Sequence, residues 1–185
     1  MRVISGSARG KMLDAVPGMD TRPTTDRVKE SVFNILQFRV VGAAMLDLFA
    51  GTGQMGIEAL SRGAARAVFV DQAPKAISVI QKNIAGARVQ DRAEVLRAEF
   101  HQALEQLRGQ KFDIIFLDPP YGGEILNSAL NAVELFDILS SDGIIICESS
   151  VEDTVICPDS LAVQKTYRYG TICLTAMRRK GAEND

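Results

Sequence analysis

What most constrains this chain is the alternation along it. Short apolar runs rich in β-branched and aromatic residues alternate with longer segments of helical period, the order that builds a parallel sheet covered by helices. Strands are predicted at 45–49, 67–71, 94–97, 112–117 and 143–148, with helices at 55–62, 74–85, 100–107 and 124–139 between them. Pro74 suits the first turn of its helix, where a missing N–H leaves no bond unmade. Beyond Glu148 the pattern changes. Residues 161–169 and 171–178 read as two strands joined by a tight turn at Gly170, hence an antiparallel finish to the sheet. The fold class is α/β. With 185 residues, 46% of them hydrophobic, the chain can hold one sizeable core but not two full domains.

A segment of different character precedes the first core strand. Residues 1–18 are rich in glycine and basic side chains, and Thr21-Arg22-Pro23-Thr24-Thr25 leads into an amphipathic helix near 26–38. On that helix Val28, Val32, Ile35 and Leu36 share one face, and Arg27, Lys29, Glu30 and Asn34 lie off it. The formal net charge is -2, so any contact with a polyanion must come from a local patch. Arg2, Arg9, Lys11, Arg22, Arg27 and Lys29 crowd the first thirty residues around Gly6 and Gly10. Those glycines would let a hairpin approach a phosphate backbone, and the cations would displace its counterions. Because Arg9 and Lys11 precede the sheet, a ligand site within it is expected to be independent of them. The last residues, 178–185, carry no apolar pattern and are expected to fray.

Composition removes several classes of function. No apolar run approaches the ~20 residues of a bilayer span, and Arg2 and Ser5 interrupt the start too early for a secretory signal, so a cytosolic location is expected. A charged content of 24% and a mean hydropathy of +0.05 are those of a globular chain. Cys147, Cys157 and Cys173 form no metal or disulfide pattern and read as reduced and structural. His101 is the single histidine, which excludes a two-histidine metal centre, and it reads as a partly exposed helix residue.

The strongest local signal is Asp47-Leu48-Phe49-Ala50-Gly51-Thr52-Gly53-Gln54-Met55-Gly56, a strand running through a glycine turn into a helix. Gly51, Gly53 and Gly56 satisfy GxGxxG, which by itself fits both a nicotinamide dinucleotide and S-adenosylmethionine. Asp47, inside the strand end, favours the second: it can accept from an ammonium or brace the loop, whereas a pyrophosphate would be repelled. Asp71 ends the next strand where a ribose diol would lie. Glu99 can accept from an adenine amine, with Phe100 against the ring.

The run 112–117 ends in Asp118-Pro119-Pro120-Tyr121, at the strand end where open α/β sheets bind ligands. Two prolines stiffen that loop. An exocyclic amine on a base is a poor nucleophile; the Asp118 carboxylate and the Pro119 carbonyl can take its two hydrogens, and Tyr121 can stack on the base. Such a reaction demands alignment more than a strong base.

With these residues in view, the chain resembles the RsmD-type family of bacterial 16S ribosomal RNA guanine-N2 methyltransferases. Residues 6–11 resemble its N-terminal hairpin, 22–30 its first helix, 47–53 and 58–64 its cofactor loop and helix, and 118–121 its catalytic loop. The stretch RPTTDRVKE is the most specific of these. Tyr121 departs from the phenylalanine common in close relatives, and Ala98-Glu99-Phe100 departs at the third strand. The resemblance implies a Rossmann-like, seven-stranded sheet with its last strand antiparallel, a basic extension at 1–20, a methyltransferase domain at 21–180 and a tail at 181–185. It implies S-adenosylmethionine as methyl donor, bound by Asp47, Phe49, Ala50, Gly51, Thr52, Gly53, Asp71, Glu99, Phe100 and Asp118. The implied partner is ribosomal RNA or an assembling small subunit. Amino-methyltransferases of DNA adenine or protein glutamine share the D/N-PPY loop. Glutamine enzymes favour asparagine at the position of Asp118, and DNA enzymes carry a recognition region for which 185 residues leave no room. A non-catalytic RNA-binding protein on this fold would be expected to have lost Asp71 or the tetrapeptide.

Overall fold

The structure, a computed structural model, describes residues 1–18, 26–120 and 123–181. Its elements run α1 (Asp26–Ile35), β1 (Ala44–Asp47), α2 (Gln54–Ser61), β2 (Arg66–Asp71), α3 (Pro74–Ala87), a 3-10 turn, β3 (Ala93–Arg97), α4 (Phe100–Gln106), β4 (Phe112–Leu117), α5 (Gly123–Leu135), β5 (Leu139–Ser150), β6 (Leu161–Tyr169) and β7 (Ile172–Arg179). The seven strands form one sheet in the order β3-β2-β1-β4-β5-β7-β6. β1 to β5 pair in parallel; β7 runs antiparallel to β5, and β6 antiparallel to β7. The expected mostly parallel sheet with an antiparallel finish is what the chain builds.

Both faces of the central strands β1, β2 and β4 are covered, which is why these read as continuous apolar runs. On one face Val32 and Phe33 of α1, Ile57 and Leu60 of α2 and Ile80 and Ile84 of α3 pack on Met45, Phe69 and Phe116. On the other, Leu104 of α4 and Leu126, Leu130 and Val133 of α5 pack on Leu46, Val70, Ile115 and Leu117. The chain builds β2 and β3 on one side of β1, then crosses to lay β4 on the other. The carboxyl ends of β1 and β4 are therefore the topological switch point, where such sheets open a crevice for ligands.

Several boundaries differ from the sequence expectation. The helix predicted over 124–139 ends at Leu135, because Asp137 turns into the left-handed region at φ 50. Lys111 at 2.8 Å and Arg179 pair with its carboxylate and hold that turn. The chain re-emerges at Leu139 in β5, which runs on to Ser150, beyond the predicted 143–148 at both ends. The first helix stops at Ile35, short of 38, and Phe38 stands 91% exposed.

The N-terminal segment folds back through an isolated antiparallel bridge between Arg2 and Met12. Val3 and Leu13 enter the main core, so the segment is packed onto the domain and not suspended from it. No helix among the described residues is long and apolar enough to cross a membrane.

Candidate active site

Strand register brings the acids together. Asp47 pairs with Phe69 of β2 and Phe116 of β4; Asp71 and Asp118 each lie two residues further on. Side chains two apart along a strand share a face, and Met45, Phe69 and Phe116 all belong to the core beneath α1, α2 and α3. Asp47, Asp71 and Asp118 thus rise on that same face at the ends of three adjacent strands. They border a cleft of about 730 Å³, a volume that suits a small-molecule ligand.

The glycine loop between β1 and α2 forms the floor. Gly51 (φ 56) and Gly53 (φ 77) take left-handed conformations that other residues rarely hold. A β-carbon at Gly51 would meet no atom within 4 Å, so its backbone lies open to the cleft. Gly56 serves packing: a β-carbon there would stand 2.3 Å from the Phe69 ring. Gly53 starts α2, is buried, and does not line the cleft. Phe49, Ala50, Gly51 and Thr52 do line it.

The acids brace this loop. Asp47 Oδ2 accepts from the Gly56 N–H at 3.1 Å. Asp71 Oδ2 accepts from the Gly51 N–H at 2.9 Å, and its Oδ1 from the Ala73 N–H at 2.8 Å. Each carboxylate oxygen keeps a second lone pair, so bracing leaves acceptor capacity toward the cleft. Asp47 is fully buried; burial foremost, with the charges of Asp118 and Asp71 adding to it and the Gly56 bond opposing, pushes its carboxyl up to about 7.

Beyond the end of β3, Glu99 caps α4, with Oε2 accepting from the His101 N–H at 2.9 Å. Phe100 and Phe49 pack with ring centroids 5.5 Å apart and their planes tilted by 51°, and both line the cleft as an apolar flank. His101 is exposed, within 3.2 Å of Ser128 Oγ. Across the cleft, Asp118, Pro119 and Pro120 line the wall opened by β4. Tyr121 lies outside the described residues, as does Arg22.

The basic residues expected to meet RNA divide. Arg2, Arg9, Lys11 and Arg27 are exposed, Arg2 within 3.6 Å of Asp26 and the Lys11 side chain lying over Gly86 of α3. Lys29 is not at the surface. It is completely buried, 3.7 Å from Glu58 of α2, and donates to the Arg2 carbonyl. The same Glu58 pairs with Arg62 at 2.8 Å and accepts from the Ile4 and Ser5 N–H groups. Gly6 is also redirected: a β-carbon there would lie 1.8 Å from the Ser61 carbonyl oxygen, so this glycine lets the hairpin dock on α2. Nor does the first segment stand apart from the site. Met1, Ala15 and Val16 line the cleft, and the buried Asn83 of α3 donates both to Asp14 O at 3.0 Å and to Thr52 O of the glycine loop at 2.9 Å.

Glu148, Ser149 and Ser150, at the end of β5, complete the wall beyond Asp118 and were not among the residues singled out in the sequence. The signal was there. The runs Met45-Leu46, Val68-Phe69-Val70, Ile114-Ile115-Phe116-Leu117 and Ile144-Ile145-Ile146-Cys147 each end in an acid, and three of those acids had been noted without the fourth.

The family model described as Conserved hypothetical protein 95 matches residues 1–178. The chain is 40% identical to the Bacillus subtilis (strain 168) protein named "Putative rRNA methyltransferase YlbH", over 98% of this chain and 100% of that one. It is 37% identical to "Ribosomal RNA small subunit methyltransferase D" of Escherichia coli (strain K12), over 83% of this chain and 76% of that one. The solved structure titled "Putative methyltransferase yhhF from Escherichia coli" superposes with a TM-score of 0.88 at 32% identity, covering 98% of each chain. Family model, relatives and fold agree along nearly the whole length: the chain belongs to the RsmD-type family of ribosomal RNA small subunit methyltransferase D.

Proposed function

We propose that this chain transfers a methyl group from S-adenosylmethionine to the exocyclic N2 amine of a guanine in small-subunit (16S) ribosomal RNA. The observation that carries this reading is the meeting, at the β1/β4 switch point, of an acid-lined cofactor loop with the Asp118-Pro119-Pro120 wall.

The donor half fits a cation. Burial foremost, with the charges of Asp118 and Asp71 adding to it, leaves Asp47 holding its proton to about 7; a positive ligand group would favour the carboxylate there, while a pyrophosphate would add to the repulsion. Asp47 and the loop carbonyls would hold the ammonium, Asp71 the ribose diol, and Phe49, Glu99 and Phe100 the adenine. When bound, this group supplies an electrophilic methyl on a sulfonium, whose loss leaves a neutral thioether. Asp118 and the Pro119 carbonyl accept hydrogen bonds from the incoming amine and turn its lone pair toward the donor half, and the Asp118 carboxylate takes the proton the nitrogen sheds as the N–C bond forms and the S–C bond breaks; Pro120 stiffens that arrangement, and Tyr121 stacks on the base. Because the leaving group is neutral, holding the two partners in line supplies much of the acceleration.

Residues 1–20 act in this reading as the RNA-contacting extension, with Arg2, Arg9, Lys11, Arg22 and Arg27 toward phosphate, and 21–180 as the catalytic domain. The RNA is met as ribosomal RNA or within an assembling subunit. The test is transfer of labelled methyl onto small subunits and naked rRNA from a bacterium lacking the enzyme, read as modified nucleosides. We expect N2-methylguanosine at one position, lost in Asp118→Ala while the donor's Kd stays within severalfold. Label on adenine or protein, or transfer that survives Asp118→Ala, refutes the assignment.

A further inference from the structure

Of the cleft-lining carboxylates that the proposed chemistry has not used, Glu148, Glu152 and Asp153, the first lies on the strand paired with β4. Leu117 of β4 pairs with Cys147 of β5, so Asp118 and Glu148 each stand one residue beyond the last pair of two adjacent strands, which run about 4.8 Å apart where paired. Ile144 and Ile146 pack in the core beneath α1, α2 and α3, so Glu148 shares their face and that of Asp118. It is half-buried and lines the cleft. The sheet order β2-β1-β4-β5 places it on the side of Asp118 away from Asp71 and Asp47, beyond the donor half and beside whatever Asp118 holds.

A carboxylate there can only accept. Of the bases that carry an exocyclic amine, adenine and cytosine place a ring-nitrogen lone pair beside that amine. Guanine alone places a donor there: its N1–H stands next to the N2 amine. An acceptor beside Asp118 and one strand further from the donor therefore discriminates among the three bases, whereas Asp118, which meets only the amine, does not.

We propose that Glu148 is a specificity-determining residue that accepts the N1–H of the target guanine while Asp118 and the Pro119 carbonyl hold its N2 amine. This rests on the guanine-N2 reading and names what enforces it. Adenine or cytosine in the same pose would turn a lone pair on the carboxylate, a mismatch that rejects an analogue more strongly than a lost apolar contact does.

The experiment uses a synthetic RNA segment spanning the mapped target, with guanine or 2-aminopurine at that position, ligated into small-subunit rRNA from a bacterium lacking the enzyme. 2-Aminopurine keeps the amine and replaces the N1–H with a lone pair. We expect the parent to methylate the guanine RNA on the order of 10–100-fold faster, the range of one charge-assisted hydrogen bond. Glu148→Gln, whose amide donates as well as accepts, should bring the two rates within about threefold. Glu148→Asp, which retains the charge, should keep guanine ahead. Calorimetry with S-adenosylmethionine should give both variants the parent's Kd within severalfold. A donor-binding Glu148→Gln protein that keeps the parent's ratio overturns the role of Glu148 and leaves the guanine reading standing, as does a parent that methylates both RNAs alike. A parent that methylates neither overturns the guanine reading and the role of Glu148 with it.

Discussion

Replacing Asp47 by asparagine measures what the fold forgoes to keep a carboxyl beneath its glycine loop. In the unfolded chain that carboxyl loses its proton near 3.8; in the folded protein burial, with Asp118 and Asp71 beside it, holds the proton to about 7. Between those values the folded state binds more protons than the unfolded one, so stability falls as pH rises through the window. At about 1.4 kcal/mol per tenfold change in proton affinity, the loss reaches roughly 4 kcal/mol once pH exceeds 7. Asp47→Asn keeps an oxygen to accept the Gly56 N–H and never ionises. The variant should therefore match the parent below about pH 4, gain on it steadily from about pH 4 to 7, and hold a constant lead above. Urea unfolding at fixed ionic strength, in steps from about pH 4 to 8.5 without donor, reads the difference directly. A difference that does not change with pH refutes the reasoning, and so does a parent that gains on the variant as pH rises. With S-adenosylmethionine added the order should reverse, because the parent's affinity should climb toward pH 7 as the carboxylate forms, and the variant has no charge to offer an ammonium.

Two further outcomes follow from the N-terminal docking. Lys29→Met should cost about 3 kcal/mol in urea unfolding, at the low end for a broken buried pair because Arg62 still faces Glu58; a change under about 1 kcal/mol would show the pair to be dispensable. Arg9→Ala with Lys11→Ala should raise the Kd for substrate RNA and flatten its salt dependence by up to about two units of slope, one per lost phosphate contact, with donor affinity unchanged since neither side chain lines the cleft. RNA binding like the parent's across a salt titration would remove the hairpin from the RNA interface.

The sheet was legible because strands buried on both faces must be apolar throughout, and Met45-Leu46, Val68-Val70 and Ile114-Leu117 are. The start of β5 was not, since Leu139-Ser140-Ser141-Asp142 is polar and its pairing with β4 is irregular, with a register shift between Phe112 and Ile114. Lys29 was misread for a different reason. Helical spacing puts it in a row with Phe33 and Leu36, both buried, but a lysine in such a row reads as solvent-facing unless its partner is known, and Glu58 is on another helix. Gly6 shows the same gap: sequence reveals that a backbone needs freedom or space, and only the fold shows that the space is filled by Ser61. Of the site, the donor acids and the tetrapeptide could be read because each stands beside a turn with its own signature. Glu148 follows no glycine and precedes no proline; its place becomes visible only when β5 is laid in register against β4.

The acids at the strand ends do two kinds of work that pull against each other. Burial above all, with the neighbouring carboxylates adding to it, opposes ionisation of Asp47, and an unbraced loop of glycines would relax away from the acids. The Gly56 N–H offsets part of that cost and, with the Gly51 and Ala73 N–H groups on Asp71, fixes the loop in the open left-handed turns a ligand needs. Asn83 adds a further tie, since one amide holds both Thr52 O and the Asp14 backbone. The loop is therefore shaped before any ligand arrives, and its ordering is met in folding and not in binding. The same tie means that the segment carrying Arg9 and Lys11 shares a rigid contact with the cofactor loop: a substitution that loosens the hairpin itself, as at Gly6, would reach the donor site through Asn83, whereas one that removes only an exposed charge would not.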